Sequence, residues 1–226
     1  MRAELKNCEV LAMYDVRGIQ AYIFKSNVAK EIVGASELVR QIITEGLDAY
    51  IETLPCEKSK NYLTKWKDDD PEAFLKDSSV EMQIMFIGGG NAYVLFRRGE
   101  ECQSVNKFLA EYILNRTYSL SLAVAVVKKT ENYSDDYDAI NEEMRRIKAS
   151  MPLSMPMGAM PFMAVDSVTG YPLTEKTREE YLCTEAKLKR EAFPETEDEK
   201  IFDNMVTEKG DSSTLAVFHI DGNSMG

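Results

Sequence analysis

The sequence predicts an α+β fold: two helices alternate with four strands in the order βαββαβ, and a helical and irregular C-terminal extension follows. Three observations predict it. Apolar, strand-like runs occupy residues 8–16, 82–96 and 120–129. Apolar residues at three-to-four spacing mark helices between those runs. The central run is broken by Gly88–Gly89–Gly90–Asn91, so it reads as two strands joined by a tight hairpin whose residues can take positive φ.

The first strand, CEVLAMYDV, carries Asp15 near its end. RGIQAYIF follows and reads as a short helix reached through a glycine turn, with Ile19, Tyr22 and Ile23 apolar. Residues 36–54 give the clearest helical pattern, with Leu38, Val39, Ile42, Ile43, Leu47, Tyr50, Ile51 and Leu54 recurring on one face. Ser36 is placed to cap that helix, Glu37 lies in its first turn and Pro55 ends it. Residues 56–80 are polar and centre on Asp68–Asp69–Asp70–Pro71, which reads as a solvated connection with one short helical turn. The three aspartates suggest a metal site, but with no other ligand type near in sequence the solvated loop is the favoured reading. After the hairpin, Val105, Phe108, Leu109, Tyr112 and Ile113 form the face of a second amphipathic helix, and LSLAVAVVKK is the last strand of the set.

This order is the ferredoxin-like split βαβ pattern, an antiparallel sheet with both helices on one face, and it makes residues 1–130 a first domain. A further helix is expected over 135–149, with Tyr137, Ile140, Met144 and Ile147 in a stripe. Residues 131–214 as a whole read as a helical and Pro/Met-rich linker region. Pro152, Pro156, Pro161 and Pro172 exclude a regular helix there, and the methionines between them suit either an adaptable contact surface or a packed irregular loop. Residues 175–208 are highly charged with helical propensity. A new strand begins at Leu215, and residues 215–226 are expected to open a second domain.

At 226 residues the chain has room for one large domain or two small ones. Its 44% hydrophobic and 29% charged residues are those of a globular protein. With 27 Lys and Arg against 38 Asp and Glu, the net charge of −11 argues against broad nucleic-acid binding, which needs a cationic surface. Four cysteines without a CxxC pair argue against a zinc site or a disulfide framework. No signal-peptide core and no long apolar run occur, so the expectation is a cytoplasmic protein without a membrane partner.

Asp15 and Asp221 occupy similar places, each closing an apolar strand before a glycine turn, which suggests an internal duplication whose second copy has only begun. A strand-end carboxylate beside a glycine hairpin is what a palm-type nucleotidyltransferase needs. Carboxylates hold two Mg2+ ions about 3.5–4 Å apart, and glycines let the backbone approach a base or phosphate without a Cβ in the way. The same features also occur as an ordinary turn and an ordinary hairpin. His219 and Asp221, two apart on a strand, share a face, which suits a His/Asp pair or a simple strand-end hydrogen bond.

Asp15–Val16–Arg17–Gly18–Ile19–Gln20–Ala21–Tyr22–Ile23–Phe24 resembles the D-I-S-G-I-Q-x-F-I-F stretch that opens the first palm of the large subunit of type III CRISPR effector complexes. Residues 29–38, AKEIVGASEL, are similar to that family's L-K-E-I-R-G-A-S-x-L start of the long helix. Residues 86–95 resemble its G-G-G-N-x-Y-x-L hairpin, and residues 216–226 resemble the x-D-x-D-x-L-G opening of its second palm. Three motifs in order, and the start of a fourth, span nearly the whole chain.

The resemblance implies an enzyme that makes cyclic oligoadenylates from ATP with Mg2+ in antiviral defence, with nucleotides between two palms and effector-complex subunits as partners. It implies that Asp221 is the catalytic and metal-holding acid, that Asn223 stands beside it where the family has a second aspartate, and that Gly88, Gly89, Gly90 and Asn91 line the nucleotide cleft. Gln20 would contact a nucleotide or the neighbouring palm, or close its own turn by a local hydrogen bond. Ser36 lies in a family-like motif, and its capping role is the favoured one. The departures are the neutral Asn223, the missing cysteine cluster between the palms and the missing histidine-aspartate nuclease segment. The chain is therefore expected to be the passive palm with one anchoring acid of the active one, inactive alone. The alternative is a non-catalytic nucleotide-binding or scaffold module that docks a partner protein.

Overall fold

Alternation along the first strand sets the architecture. In β1 (Val10–Arg17), Val10, Ala12, Tyr14 and Val16 point to one face of a sheet and Leu11 and Met13 to the other. Both sets are buried, so the sheet is covered on both faces. This arrangement is seen in a computed structural model that describes residues 3–152, 158–178 and 180–194. All the elements below belong to the compact unit Met1–Phe193. The expected strand at 215–226, with His219, Asp221 and Asn223, lies outside the described residues.

The helices α1 (Ile19–Phe24) and α2 (Ala29–Glu52) follow β1. Then come α3 (Cys56–Ser59), β2 (Tyr62–Leu63), α4 (Ala73–Lys76), β3 (Met82–Gly88), β4 (Asn91–Phe96), α5 (Gly99–Thr117) and β5 (Ser121–Lys128). The sheet order is β2-β3-β4-β1-β5. β1 lies antiparallel between β4 and β5, β3 pairs antiparallel with β4, and β2 joins parallel to β3. The four strands β3-β4-β1-β5, joined through α2 and α5, reproduce the expected βαββαβ order.

Both of those helices cover one face, as expected. Leu38, Val39, Ile42 and Leu47 of α2 pack with Val105, Leu109 and Ile113 of α5 on the Val10–Val16 side of β1. The two helices meet closely at Gly46, where a Cβ would fall 2.4 Å from Leu109 Cδ1. The opposite face is closed by α6 (Tyr133–Ser150), whose Ile140 and Met144 lie against Leu11, Met13, Ala123 and Ala125. Asn132 caps α6 by accepting the Ser134 N–H at 3.1 Å.

Two local expectations are corrected. The long helix starts at Ala29 rather than after Ser36, so Ser36 is an exposed residue inside α2 and caps nothing. Its true start is organised by Ser26, whose Oγ accepts the Val28 N–H at 3.0 Å and donates to Glu31. Residues 56–80 are not a purely solvated connection. Phe74 is fully buried, its N–H donates to Gln83 Oε1 at 2.8 Å, and the Arg97 guanidinium lies 3.9 Å from its ring centroid. Arg97 also donates to Phe74 C=O and to Glu9, each at 2.6 Å, which ties the connection to the sheet.

Beyond α6 the described chain forms β6 (Leu173–Lys176), β7 (Tyr181–Cys183) and α7 (Thr184–Glu191). The charged segment read as helical from residue 175 thus begins with a small antiparallel hairpin. Helix α7 returns to α2 at Gly34, where a Cβ would lie 1.8 Å from the Lys189 carbonyl oxygen. Among the described residues no helix is long and apolar enough to cross a membrane, and all four cysteines are free.

Candidate functional site

The glycine hairpin is built as a two-residue turn. Gly88 ends β3 and pairs with Asn91, the first residue of β4. Between them Gly89 has φ 58° and Gly90 φ 84°. Two successive positive φ values give the strand reversal that matches sheet twist. The two glycines have different surroundings. Among the described residues a Cβ on Gly89 would meet nothing within 4 Å. A Cβ on Gly90 would lie 2.8 Å from Ile19 Cδ1, 3.5 Å from Val16 Cβ and 3.7 Å from Val39 Cγ1. The Gly90 carbonyl accepts the Val16 N–H at 2.9 Å. The hairpin tip is therefore seated on the turn from β1 into α1, where Gly18 takes φ 85°.

That seat brings the other expected contact residues to the same end of the domain. Gln20 adjoins Ile19 on α1, and Ser36 stands one turn before Val39 on α2; both side chains are exposed. Asn91 pairs across strands with Asp15. The alternation of β1 turns Asp15 to the α6 side, where its carboxylate accepts a hydrogen bond from Lys148 Nζ. Arg17 Nη1 donates to the Lys148 carbonyl at 3.0 Å, so the end of α6 is held at two points. The strand-end carboxylate beside the hairpin is thus neutralised by a lysine. No group of three or more His, Cys, Asp or Glu side chains among the described residues could hold a metal ion. Asp221 and Asn223, the residues expected to do so, lie outside them.

Two features escaped the sequence reading. The first is a cavity of about 380 Å³ on the β5 side of α1, walled by Arg17, Ala21, Tyr22, Lys25, Ser121 and Tyr171 among others. Behind it Lys189, 1% exposed, donates to Glu185 Oε1 and to the Tyr22 carbonyl, both at 2.6 Å. Burial, and then the neighbouring Glu185 carboxylate, raise the Tyr22 hydroxyl well above the ordinary tyrosine range. The second is an apolar groove of about 700 Å³ on the α6 face, where Tyr93 and Tyr137 stack at 6.4 Å and Tyr137 and Tyr133 at 6.1 Å. Neither has a local motif, because each is assembled from distant segments.

No family model and no curated protein matches the chain. Solved structures do. One is the diguanylate cyclase SiaD with its activator SiaC from Pseudomonas aeruginosa, at 13% identity and TM-score 0.35, covering 67% of this chain and 49% of that one. A Csm1–Csm4 cassette with cA4 matches at 15% identity and TM-score 0.36 over 64% of this chain and 19% of that one. The cassette with one ATP matches at 14% identity and TM-score 0.37 over the same shares of 64% and 19%. The chain therefore spans about half the length of the first and about a fifth of the others.

Proposed function

We propose that this chain supplies the passive palm of an enzyme that joins ATP into cyclic oligoadenylates, of the kind its motifs resemble, in CRISPR-type antiviral defence. The observation that carries the reading is the hairpin. Gly89 presents bare backbone to open space, while Gly90 fixes that backbone against the start of α1. A base or phosphate can approach such a tip without meeting a side chain. Asn91, which opens β4, and the exposed Gln20 and Ser36 would supply polar groups for a nucleotide there. The described residues do not fit a metal, because the Asp15 carboxylate is bound to Lys148. In this reading Mg2+ belongs to Asp221, with Asn223 as a weaker neutral neighbour.

Calorimetric titration of the full chain with ATP and Mg2+ tests this. Saturable binding that is lost in Asp221→Ala is expected. Absence of binding, or binding untouched by Asp221→Ala, overturns the reading. The Asp15–Lys148 pair favours a second reading, in which the fold is a scaffold that docks a partner protein and the carboxylate serves only to anchor α6. That reading requires complex formation with a partner to be independent of ATP.

A further inference from the structure

Helix α1 has two working faces. Ile19 meets the hairpin, whereas Ala21, Tyr22 and Lys25 line the separate cavity of about 380 Å³ against the start of β5. We propose that this second cavity binds a small phosphoryl-bearing ligand, independently of any nucleotide at the hairpin.

Its charge points to an anion. Arg17 and Lys25 both contribute to the wall, and neither forms a salt bridge among the described residues. Among the described residues Arg17 commits only Nη1, to the Lys148 carbonyl, which leaves the rest of its donor fork. The Lys25 ammonium sits 4.4 Å from the centroid of the Tyr171 ring. Ser121 adds a hydroxyl. A guanidinium, an ammonium and a hydroxyl on one wall are the groups that recognise phosphoryl oxygens. The carboxylate in the wall, Glu185, does not oppose this. Its Oε1 is held by Lys189 and its Oε2 accepts the Ser119 hydroxyl.

The size points to an organic body. The volume falls within the range of small-molecule sites and exceeds what a bare phosphate ion fills. Leu120, Pro152 and the Tyr171 ring give that body an apolar wall. Tyr22, itself part of the core, closes the back of the cavity.

The test is titration of residues 1–226 with AMP, inorganic phosphate and adenosine, read by calorimetry and by two-dimensional amide NMR. AMP is expected to bind and to shift the amides of Gly18, Lys25, Ser121 and Tyr171. Lys25→Gln is expected to weaken AMP about tenfold, the loss of one charge-assisted contact, with the urea midpoint unchanged. Phosphate binding more weakly than AMP identifies an organic phosphate as the occupant, and phosphate binding equally well identifies the free ion; both support the site. Adenosine binding as well as AMP, no binding of AMP or phosphate, or an unaltered Lys25→Gln variant overturns it. Shifts confined to Gly88–Asn91 also overturn it while leaving the hairpin reading intact.

Discussion

Gly89 and Gly90 make one turn under different constraints, and substitution should separate them. At φ 58° and with open space around it, Gly89 occupies a conformation that asparagine also adopts. Gly89→Asn is expected to leave stability within about 0.5 kcal/mol of the parent in urea denaturation. Gly90, at φ 84° and crowded by Ile19 and Val16, has no such alternative. Gly90→Ala is expected to cost about 1–2 kcal/mol, the left-handed penalty, with Ile19 shifting to relieve the contact. If Gly89 serves as the bare tip of a nucleotide cleft, Gly89→Asn should weaken ATP binding in calorimetry while folding is unaffected. A residue that mattered only for the turn would leave binding alone. Gly34 makes the same kind of argument inside a helix, where glycine normally weakens the structure. Here a methyl group would overlap the Lys189 backbone carbonyl. Gly34→Ala is expected to displace α7 at a cost of about 2–3 kcal/mol, seen as faster amide exchange over Thr184–Glu191.

Helix α7 illustrates how a charged element can be buried. Glu185 and Lys189 are one turn apart and their side chains are 2% and 1% exposed, so the pair is desolvated and fully engaged. Next to it Arg190 bonds Glu31 of α2 at 2.7 Å. Removing one partner from a buried pair leaves the other without compensation, so Lys189→Met is expected to cost about 3–5 kcal/mol in urea denaturation. The double variant Lys189→Met, Glu185→Leu should recover much of that loss, since the burial penalty of both charges disappears. The same pair explains what sequence reading could not see. A run such as Thr184–Glu191 has the composition of a solvated surface helix, and only the approach at Gly34 shows otherwise. The βαββαβ elements were legible because their apolar residues follow the period of a strand or a helix. Strand β2, with two residues, carries no period at all. Phe74 lies in a short apolar step, Ala73–Leu75, within a charged stretch, and its burial follows from Gln83 and Arg97, which are brought to it by the sheet. The start of α2 was misplaced because Ser36 has the chemistry of a cap, whereas Gly34, two residues earlier, lies inside the helix and admits α7.

At the scale of the whole molecule the question is whether this chain can do chemistry by itself. Joining nucleotides on a palm requires two metal ions held by more than one carboxylate, so that both the attacking and the leaving oxygen are stabilised. The carboxylate that the fold places beside the hairpin, Asp15, is bound to Lys148, and Arg17 fixes the carbonyl of that same lysine. In the proposed reading the other acid is Asp221, and its sequence neighbour at 223 is the neutral Asn223. If Asp221 is the single acid at the cleft, as that reading has it, one acid is too few for the two-metal arrangement. Purified residues 1–226, incubated with ATP and Mg2+ or Mn2+, are therefore expected to form no cyclic oligoadenylate detectable by mass spectrometry, while still binding ATP in calorimetry. Lys148→Ala releases Asp15 and tests whether the lysine is all that silences this palm. Product in the parent chain would refute the assignment of this fold as the passive member. Product only in Lys148→Ala would show that Asp15 can act as a metal ligand once its counter-charge is gone. Inactivity of both, with ATP binding retained, is the outcome required of a palm that shapes the cleft and leaves catalysis to other acids.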